Sequence, residues 1–473
     1  MSLQTYPEYK NVDLDWIASI PKHWLAKPNR ALFAESNITK RDNEKLLSVT
    51  ISRGIITQED LINSSSKKDS SNLDKSKYKL VEPNDIAYNK MRAWQGAIGV
   101  SKYKGIVSPA YIIHKPKINI CPDYYHYLFR SSSMIKVFEK WSYGITSDQW
   151  SLRPEHFRLI SNILPPYEEQ EQIARYLDYK NHLINKYIRI KKKQIELLKE
   201  LKQVIINDAV TGKIDVRTRK PYPKYKDSGV DWLGMIPEVW TVKKLRNVAT
   251  IKPSGVDKKT NASERPVHLC NYTDVYKNEY IVPDMEFMEA TVSESEYNEY
   301  RLSKGDIIIT KDSEMWNDIA VPSLICQDIR DLICAYHLCL IRITDDCVTP
   351  EFLLRSLQAK TYQYQFHVAA NGITRFGISK NTIKDALIAV PPIDTQNHLC
   401  DYVLSLCEKI ETQIKTINSQ IPYIKELQTR LISDIVTGNL DVRDIEIPDY
   451  DEEQEDLFED LVEDSLEEVG DAD

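Results

Sequence analysis

No stretch of this 473-residue chain approaches the roughly 20 consecutive apolar residues that cross a bilayer. Residues 1–24 contain no apolar run of the signal-peptide kind and open on a Tyr/Pro/Lys-bearing segment. A cytoplasmic protein with no membrane contact is therefore expected. The eight cysteines include no CxxC pair, so the close-spaced ligands of a structural zinc site are missing. The densest group, Cys334 to Cys339 with His337 between them, reads as reduced thiols on an apolar strand, and no metal site is expected. No GxxxxGK[ST] phosphate loop is present.

Basic residues are missing from one region altogether. Residues 448–473 hold 14 Asp or Glu and no Lys or Arg. They account for the formal net charge of −8, because the other 447 residues carry 62 basic and 56 acidic groups. Residues 22–160 hold 23 basic and 13 acidic side chains, net +10, whereas residues 238–390 hold 18 and 21, net −3. The first half thus has the electrostatic footprint of a phosphate binder and the second, on average, does not. The acidic tail reads as disordered, and its composition suits competition with phosphates for the basic face. Deleting residues 448–473 is then expected to raise non-specific affinity for a phosphate polymer at low salt, as an anisotropy titration would show. Unchanged affinity would dispose of that role.

What organises the chain is an internal repeat. Tyr6 to Lys10 (YPEYK) returns as Tyr222 to Lys226 (YPKYK), Asp15-Trp16 as Asp231-Trp232, and Ile20 to Trp24 (IPKHW) as Ile236 to Trp240 (IPEVW), all offset by 216. Arg130-Ser131 matches Arg355-Ser356, and Gly144-Ile145-Thr146 matches Gly372-Ile373-Thr374. Pro165-Pro166 matches Pro391-Pro392, Gln170 matches Gln396, and Thr211 to Arg217 (TGKIDVR) matches Thr437 to Arg443 (TGNLDVR), at an offset of 226. About ten residues are therefore inserted inside the second globular part. Trp16, Trp24, Trp232 and Trp240 read as packing anchors.

Each repeat begins with a globular part mixing short β-type runs (Leu46 to Ile51, Asp85 to Tyr88, Ile106 to His114; Asp306 to Thr310, Leu332 to Ile343) and amphipathic helical stretches (Asp123 to Trp141; Pro350 to Tyr364). After each Pro-Pro comes a long segment without glycine, read as a helix from Tyr167 to Val210 and again from Ile393 to Val436, each ended by Thr-Gly. Apolar stripes mark both: Ile184, Ile188, Ile195, Leu198, Ile205 and Ala209 on the first, then Val403, Leu406, Ile410, Ile417, Ile424, Leu427 and Leu431 on the second. At about 1.5 Å per residue each helix spans roughly 66 Å, and the stripes can bury each other as an antiparallel coiled coil. The alternative is that each helix lies on its own globular part. Pro422 should kink the second helix.

These features together resemble the specificity (S) subunit of type I restriction–modification enzymes over about residues 1–445. The matching residues are the paired IPKHW/IPEVW segments, the run Asn84 to Tyr111, the segment Leu164 to Leu177 (LPPYEEQEQIARYL) and the closing Ala209 to Arg217 (AVTGKIDVR). The resemblance implies an α+β fold: two mixed α/β target-recognition domains joined by two long antiparallel coiled-coil helices with internal pseudo-two-fold symmetry. It divides the chain at 1–166 and 213–392 for the target-recognition domains, 167–212 and 393–440 for the spacer helices, and 441–473 for a C-terminal segment with the acidic tail. It further implies double-stranded DNA as ligand, read at a split, asymmetric site. Two modification (M) subunits that carry S-adenosylmethionine and methylate adenine N6 would dock on the repeated regions. Restriction (R) subunits that carry ATP and Mg2+ would join them, leaving no cofactor on this chain. Pro422 and the acidic tail depart from the family pattern.

Candidate DNA contacts follow from residue type. Asn89, Lys90, Arg92, Trp94 and Gln95 follow a β-type run, and Arg, Lys, Asn and Gln present matched donors and acceptors to base edges. Their counterparts are Lys311, Asp312, Ser313, Trp316 and Asn317, whose different chemistry suggests a different half-site. Tyr143, Thr146, Ser147, Gln149 and Arg153, then Asn371, Thr374, Arg375 and Ser379, flank the two Gly-Ile-Thr motifs, where tight turns bring backbone near phosphates. Solvated loops and plain structural turns are the competing readings throughout. The Lys/Ser cluster Ser64 to Lys79 and the basic run Arg189 to Lys193 are further phosphate candidates or simply solvated surface.

Two other functions compete. Leu164-Pro-Pro-Tyr167 looks like the catalytic [Asn/Asp]-Pro-Pro-Tyr of amino-methyltransferases, but leucine cannot hydrogen-bond a target amine, and its repeat, Val390-Pro-Pro-Ile393, loses the tyrosine too. No GxG loop for S-adenosylmethionine accompanies it, so no catalytic residues are assigned and a self-contained methyltransferase or nuclease is disfavoured. A duplicated coiled-coil scaffold with two protein-binding heads fits the repeat equally well. The +10 balance of residues 22–160 weighs against it.

Overall fold

The computed structural model describes residues 4–41, 43–63, 74–146 and 149–450; Ser147, most of the Ser64–Lys79 cluster and the acidic tail beyond Tyr450 lie outside them. The chain forms two compact units, Met1–Lys191 with Ser419–Asp473, and Lys192–Asn418. Each is α+β, and each contains one stretch of both long helices.

The first unit is built on a four-stranded antiparallel sheet in the order Phe33–Ser36, Tyr111–Pro116, Ile86–Asn89, Ile98–Val100. The central strand is buried on both faces, and its alternation assigns them. Ile86 and Tyr88 join the aromatic core made with helices Pro122–Arg130, Ser132–Lys140 and Pro154–Leu159, where the Tyr88 ring lies 5.1 Å from that of Phe157. Ala87 faces the other way, onto a smaller core with Leu47, Val49 and Ile55 of the hairpin Leu47–Thr50/Gly54–Thr57.

The second unit repeats the scheme. Its five-stranded sheet runs Ala249–Pro253, Leu338–Ile343, Ile307–Thr310, Pro322–Ile325, Tyr280–Ile281, antiparallel except for the last pair. Ile307 and Ile309 pack with Phe352 and Leu353 of the helical layer, while Ile308 faces Cys270, Val275 and Leu332. On that outer side stands an added three-stranded sheet, Met288–Val292, Arg265–Cys270, Leu332–Cys334, which takes the place of the first unit's hairpins.

Both long helices begin and end where the sequence predicts them, at Tyr167–Val210 and Ile393–Val436. The helix continues through Pro422. Within the first unit the Gln428 side-chain amide donates to Asn181 Oδ1 at 2.9 Å, and within the second Lys202 meets Glu411 at 3.0 Å, so the two helices pair inside each unit. Ile188, Ile195, Ala209, Val403, Ile410 and Ile417 are buried as expected of the stripe. Leu427 is not: it is 46% exposed, because its neighbour Gln428 takes the inward position opposite Asn181.

The repeat fastens each helix in the same way. Gln170 is buried, accepts from the Cys121 N–H at 2.9 Å and donates to Pro165 O at 2.8 Å. Gln396 likewise accepts from the Thr349 N–H at 2.9 Å and donates to Pro391 O at 2.9 Å. At the far end Gly212 and Gly438 adopt φ of +74° and +78°, and a Cβ on either would run into Pro237 or Pro21. The fully buried Trp240 and Trp24 close these knots, each edge-on to a tyrosine (Tyr222 at 5.9 Å, Tyr6 at 5.7 Å). Trp16 and Trp232 pack at the margins of the same cores. The four tryptophans are therefore anchors.

Several sequence expectations need correction. Ile106–His114 is not one strand but two, Gly105–Val107 and Tyr111–Pro116, in different sheets. Leu332–Ile343 likewise breaks between Cys334 and Leu338, where His337 adopts φ +71°. Asp123–Trp141 is two helices, because Ser131 is extended and its hydroxyl caps the second at Met134 N. Pro350–Tyr364 breaks at the extended Ala359 in the same way. Matching these helices aligns Pro122–Arg130 with Pro350–Gln358, so Arg130 falls opposite Gln358 rather than Arg355. The two arginines have different partners: Arg130 donates to the Gly96, Ile98, Ile51 and Ser52 carbonyls, whereas the fully buried Arg355 meets Glu279 and Glu351.

The aspartates that open the central strands also differ. Asp306 is held bidentately by Arg342 at 2.6 and 2.7 Å, whereas Asp85 accepts the Glu82 N–H at 2.9 Å and has its nearest cation, Lys115, at 3.9 Å. Burial pushes the Asp85 carboxyl up to about 6. The folded state then binds a proton that the unfolded state releases between about pH 4 and 6, so this group's contribution to stability is full below pH 4 and is lost as pH rises through 6. Asp85→Asn is expected to flatten the melting-temperature profile across that window relative to wild type. Superimposable profiles would contradict the assignment.

Candidate nucleic-acid interface

In the first unit the strand Ile86–Asn89 runs into a compact turn. Asn89 Oδ1 accepts from the Met91 N–H at 3.0 Å, the Trp94 indole donates to Met91 O at 2.9 Å, and Gly96 closes a short 3-10 turn over Ala93–Gln95. Asn89 and Trp94 are thus occupied in shaping the turn. Trp94 also stands edge-on to Trp150 at 5.3 Å. That contact, with a hydrogen bond from Leu152 N–H to Lys90 O of 2.8 Å, joins the turn to the segment around Gly144. The two sequence regions proposed separately therefore form one edge. Tyr143, Thr146, Gln149, Arg153 and Arg92 are exposed along it, with Lys90 and Gln95 half-buried beside them.

The second unit repeats this junction with other side chains. Ile378 N–H donates to Lys311 O at 3.0 Å, and the short strands Asp312–Ser313 and Phe376–Gly377 pair across it. Lys311 is turned back, its ammonium 2.7 Å from Ser254 O and over the Tyr336 ring. The Asp312 carboxylate lies 2.7 Å from His337 Nδ1 and 2.8 Å from Arg375 Nε, neutralising the edge's arginine. Ser313 is only 4% exposed, so its hydroxyl supports the strand rather than facing solvent. Ser379 caps the helix Lys380–Asp385, accepting from Thr382 N–H at 3.0 Å, and the Asn371 amide donates to Ala369 O. Asn371, Thr374, Arg375, Trp316 and Asn317 remain exposed, with the Trp316 ring edge-on to His367 at 6.1 Å.

The first edge carries cationic and amide groups; the second is an acid–base network with an exposed aromatic. His337 and His367 stand beside that network; sequence reading weighed His337 only within the Cys334–Cys339 group and did not single out His367. Leu164-Pro-Pro-Tyr167 and Val390-Pro-Pro-Ile393 serve as junctions between a strand end and a long helix.

Residues 237–422 match the family described as the type I restriction modification DNA specificity domain. The chain is 25% identical over 297 residues to the type I restriction enzyme EcoKI specificity subunit of Escherichia coli K12, covering 61% of this chain and 60% of that protein. It is 23% identical over 375 residues to the MjaVIII specificity subunit of Methanocaldococcus jannaschii, covering 77% and 81%. Among solved structures, a chain from work on complex assembly and conformational transition of the type I restriction–modification system superposes with a TM-score of 0.64 at 12% identity, over 89% of this chain and 99% of that one. That likeness establishes the fold.

Proposed function

We propose that this chain, which is similar to the type I restriction–modification specificity subunits, reads a split, asymmetric DNA site, one half with each unit. The observation that carries the reading is the duplicated edge. The same backbone junction, Lys90 with Leu152 and Lys311 with Ile378, presents unlike side chains in the two units. One scaffold with two chemistries is what an asymmetric site requires.

The chain contributes recognition, and its partners contribute chemistry. Methyltransferase subunits that bind S-adenosylmethionine and methylate adenine N6 dock on it in two copies, and ATP- and Mg2+-dependent restriction subunits join them. A docking surface is at hand on the first long helix. Leu183, Tyr187 and Ile190 within the first unit, and Leu197, Leu201 and Val204 within the second, lie exposed, each set at a four- and a three-residue step. Repeated structure offers two copies of one partner equivalent surfaces.

The test is a salt titration of the purified complex against duplex DNA. Phosphate-driven binding weakens linearly in log affinity against log salt, by about 0.9 per phosphate contacted. An affinity indifferent to salt would instead favour the protein-binding scaffold.

A further inference from the structure

Each edge ends in the same apolar point. Ile145 is 94% exposed and Ile373 is 95% exposed, more than any other large hydrophobic side chain among the described residues. A single exposed isoleucine is ordinary on a protein surface. The same residue recurring at the same turn of both repeats is not accounted for in that way.

The turns are built to project it. In the first unit Tyr143 and Ser151 exchange backbone hydrogen bonds of 3.2 and 3.0 Å across the base of the turn; in the second Asn371 and Gly377 do so at 3.0 and 2.9 Å. A Cβ on Gly144 would lie 2.5 Å from the Gln149 carbonyl, and one on Gly372 would collide with Arg375 O. The chain therefore doubles back too tightly for any side chain before the isoleucine. Being β-branched, that isoleucine is stiff about χ1, so it stands out as a rigid apolar tip.

Its surroundings point to the occupant. The tip of the first unit shares its edge with Lys90, Arg92 and Arg153, and that of the second is followed two residues on by Arg375. The polar groups that differ between units suit base reading; the isoleucine that does not differ suits a contact that every duplex offers.

We infer that Ile145 and Ile373 are apolar wedges that press between base steps of duplex DNA, one at each half-site, independent of base identity. The inference rests on the DNA-reading function proposed above. Apolar side chains inserted at a base step partly unstack it and bend the duplex, so that more protein surface meets the DNA.

The experiment uses the complex with its methyltransferase partner. Its probe is a fluorescein-labelled duplex carrying the genome-mapped motif, with 2-aminopurine scanned through each half. Wild type is expected to raise 2-aminopurine fluorescence at one step in each half. Ile145→Ala should abolish the rise in one half and Ile373→Ala in the other, each weakening binding about tenfold. The salt slope should stay unchanged, because no phosphate contact is removed. Leucine at either position should retain the signal. If both alanine variants keep wild-type fluorescence and affinity, the wedge is overturned and DNA reading stands. If instead they fail to assemble with the partner while the remaining complex unstacks DNA normally, the tips are protein contacts and the wedge is again overturned. A wild-type complex without salt-dependent duplex binding would bring down the proposed function and the wedge together.

Discussion

Alanine at Trp24 or at Trp240 is expected to destabilise the unit that holds it severely. Each indole is fully buried between a tyrosine, a proline and the glycine that ends a long helix. Truncating such a side chain costs about 3–5 kcal/mol, against a typical domain stability of roughly 5–15 kcal/mol. The two sites should separate under the milder change to phenylalanine. The Trp24 N–H donates to Glu169 Oε1 at 2.9 Å, and the same buried carboxylate accepts from Tyr6 and lies 2.7 Å from His23 Nε2. At the equivalent position of the second unit stands Thr395, and the Trp240 indole N–H and Tyr222 hydroxyl find no partner among the described residues. Trp24→Phe therefore strips a donor from a buried charge, while Trp240→Phe loses ring area alone. Denaturant unfolding should show Trp24→Phe as the more destabilising by about 1–3 kcal/mol. Equal losses would contradict a carboxylate-centred knot.

Replacing Lys90, Arg92 and Arg153 together by alanine is expected to remove most DNA affinity of the first unit. If each neutralises one phosphate, the slope of log affinity against log salt should fall by about 2.7. Affinity near physiological salt should drop roughly 100-fold or more, by analogy with the salt sensitivity of multi-phosphate binders. The parallel change Arg375→Ala should act more weakly on the salt slope, since the Asp312 carboxylate, 2.8 Å away, already offsets that cation. Anisotropy titrations at several salt concentrations measure both. A triple variant with the wild-type slope would place the phosphate contacts elsewhere in the molecule.

The architecture was legible in the sequence to the extent that repetition and helical period determine it. Two 44-residue helices, their glycine ends and their Pro-Pro starts announce themselves through composition and spacing. The elements inside the globular parts were blurred where backbone breaks carry no strong signal. Ala359 interrupts a helical pattern only because tertiary packing turns the chain there, and His337 takes a positive φ that β-type residues on either side conceal. Leu427 was misassigned because a polar residue, Gln428, occupies the seam. The candidate edges were half legible. Residue type picked out Arg92, Arg153, Arg375 and Trp316, but not that Asn89 and Ser379 spend their side chains on local turns and caps, nor that Ser313 is buried. Such self-satisfaction depends on which atoms the fold brings within hydrogen-bond reach, and a linear pattern does not contain it.

The central claim is that two unlike readers on one duplicated frame recognise a gapped site. Co-expressing the chain with its methyltransferase partner and mapping methylated adenines across the host genome tests it most directly. A single motif is expected, made of two different short halves separated by a constant number of unspecified base pairs. A contiguous or palindromic motif, or methylation without any motif, would contradict it.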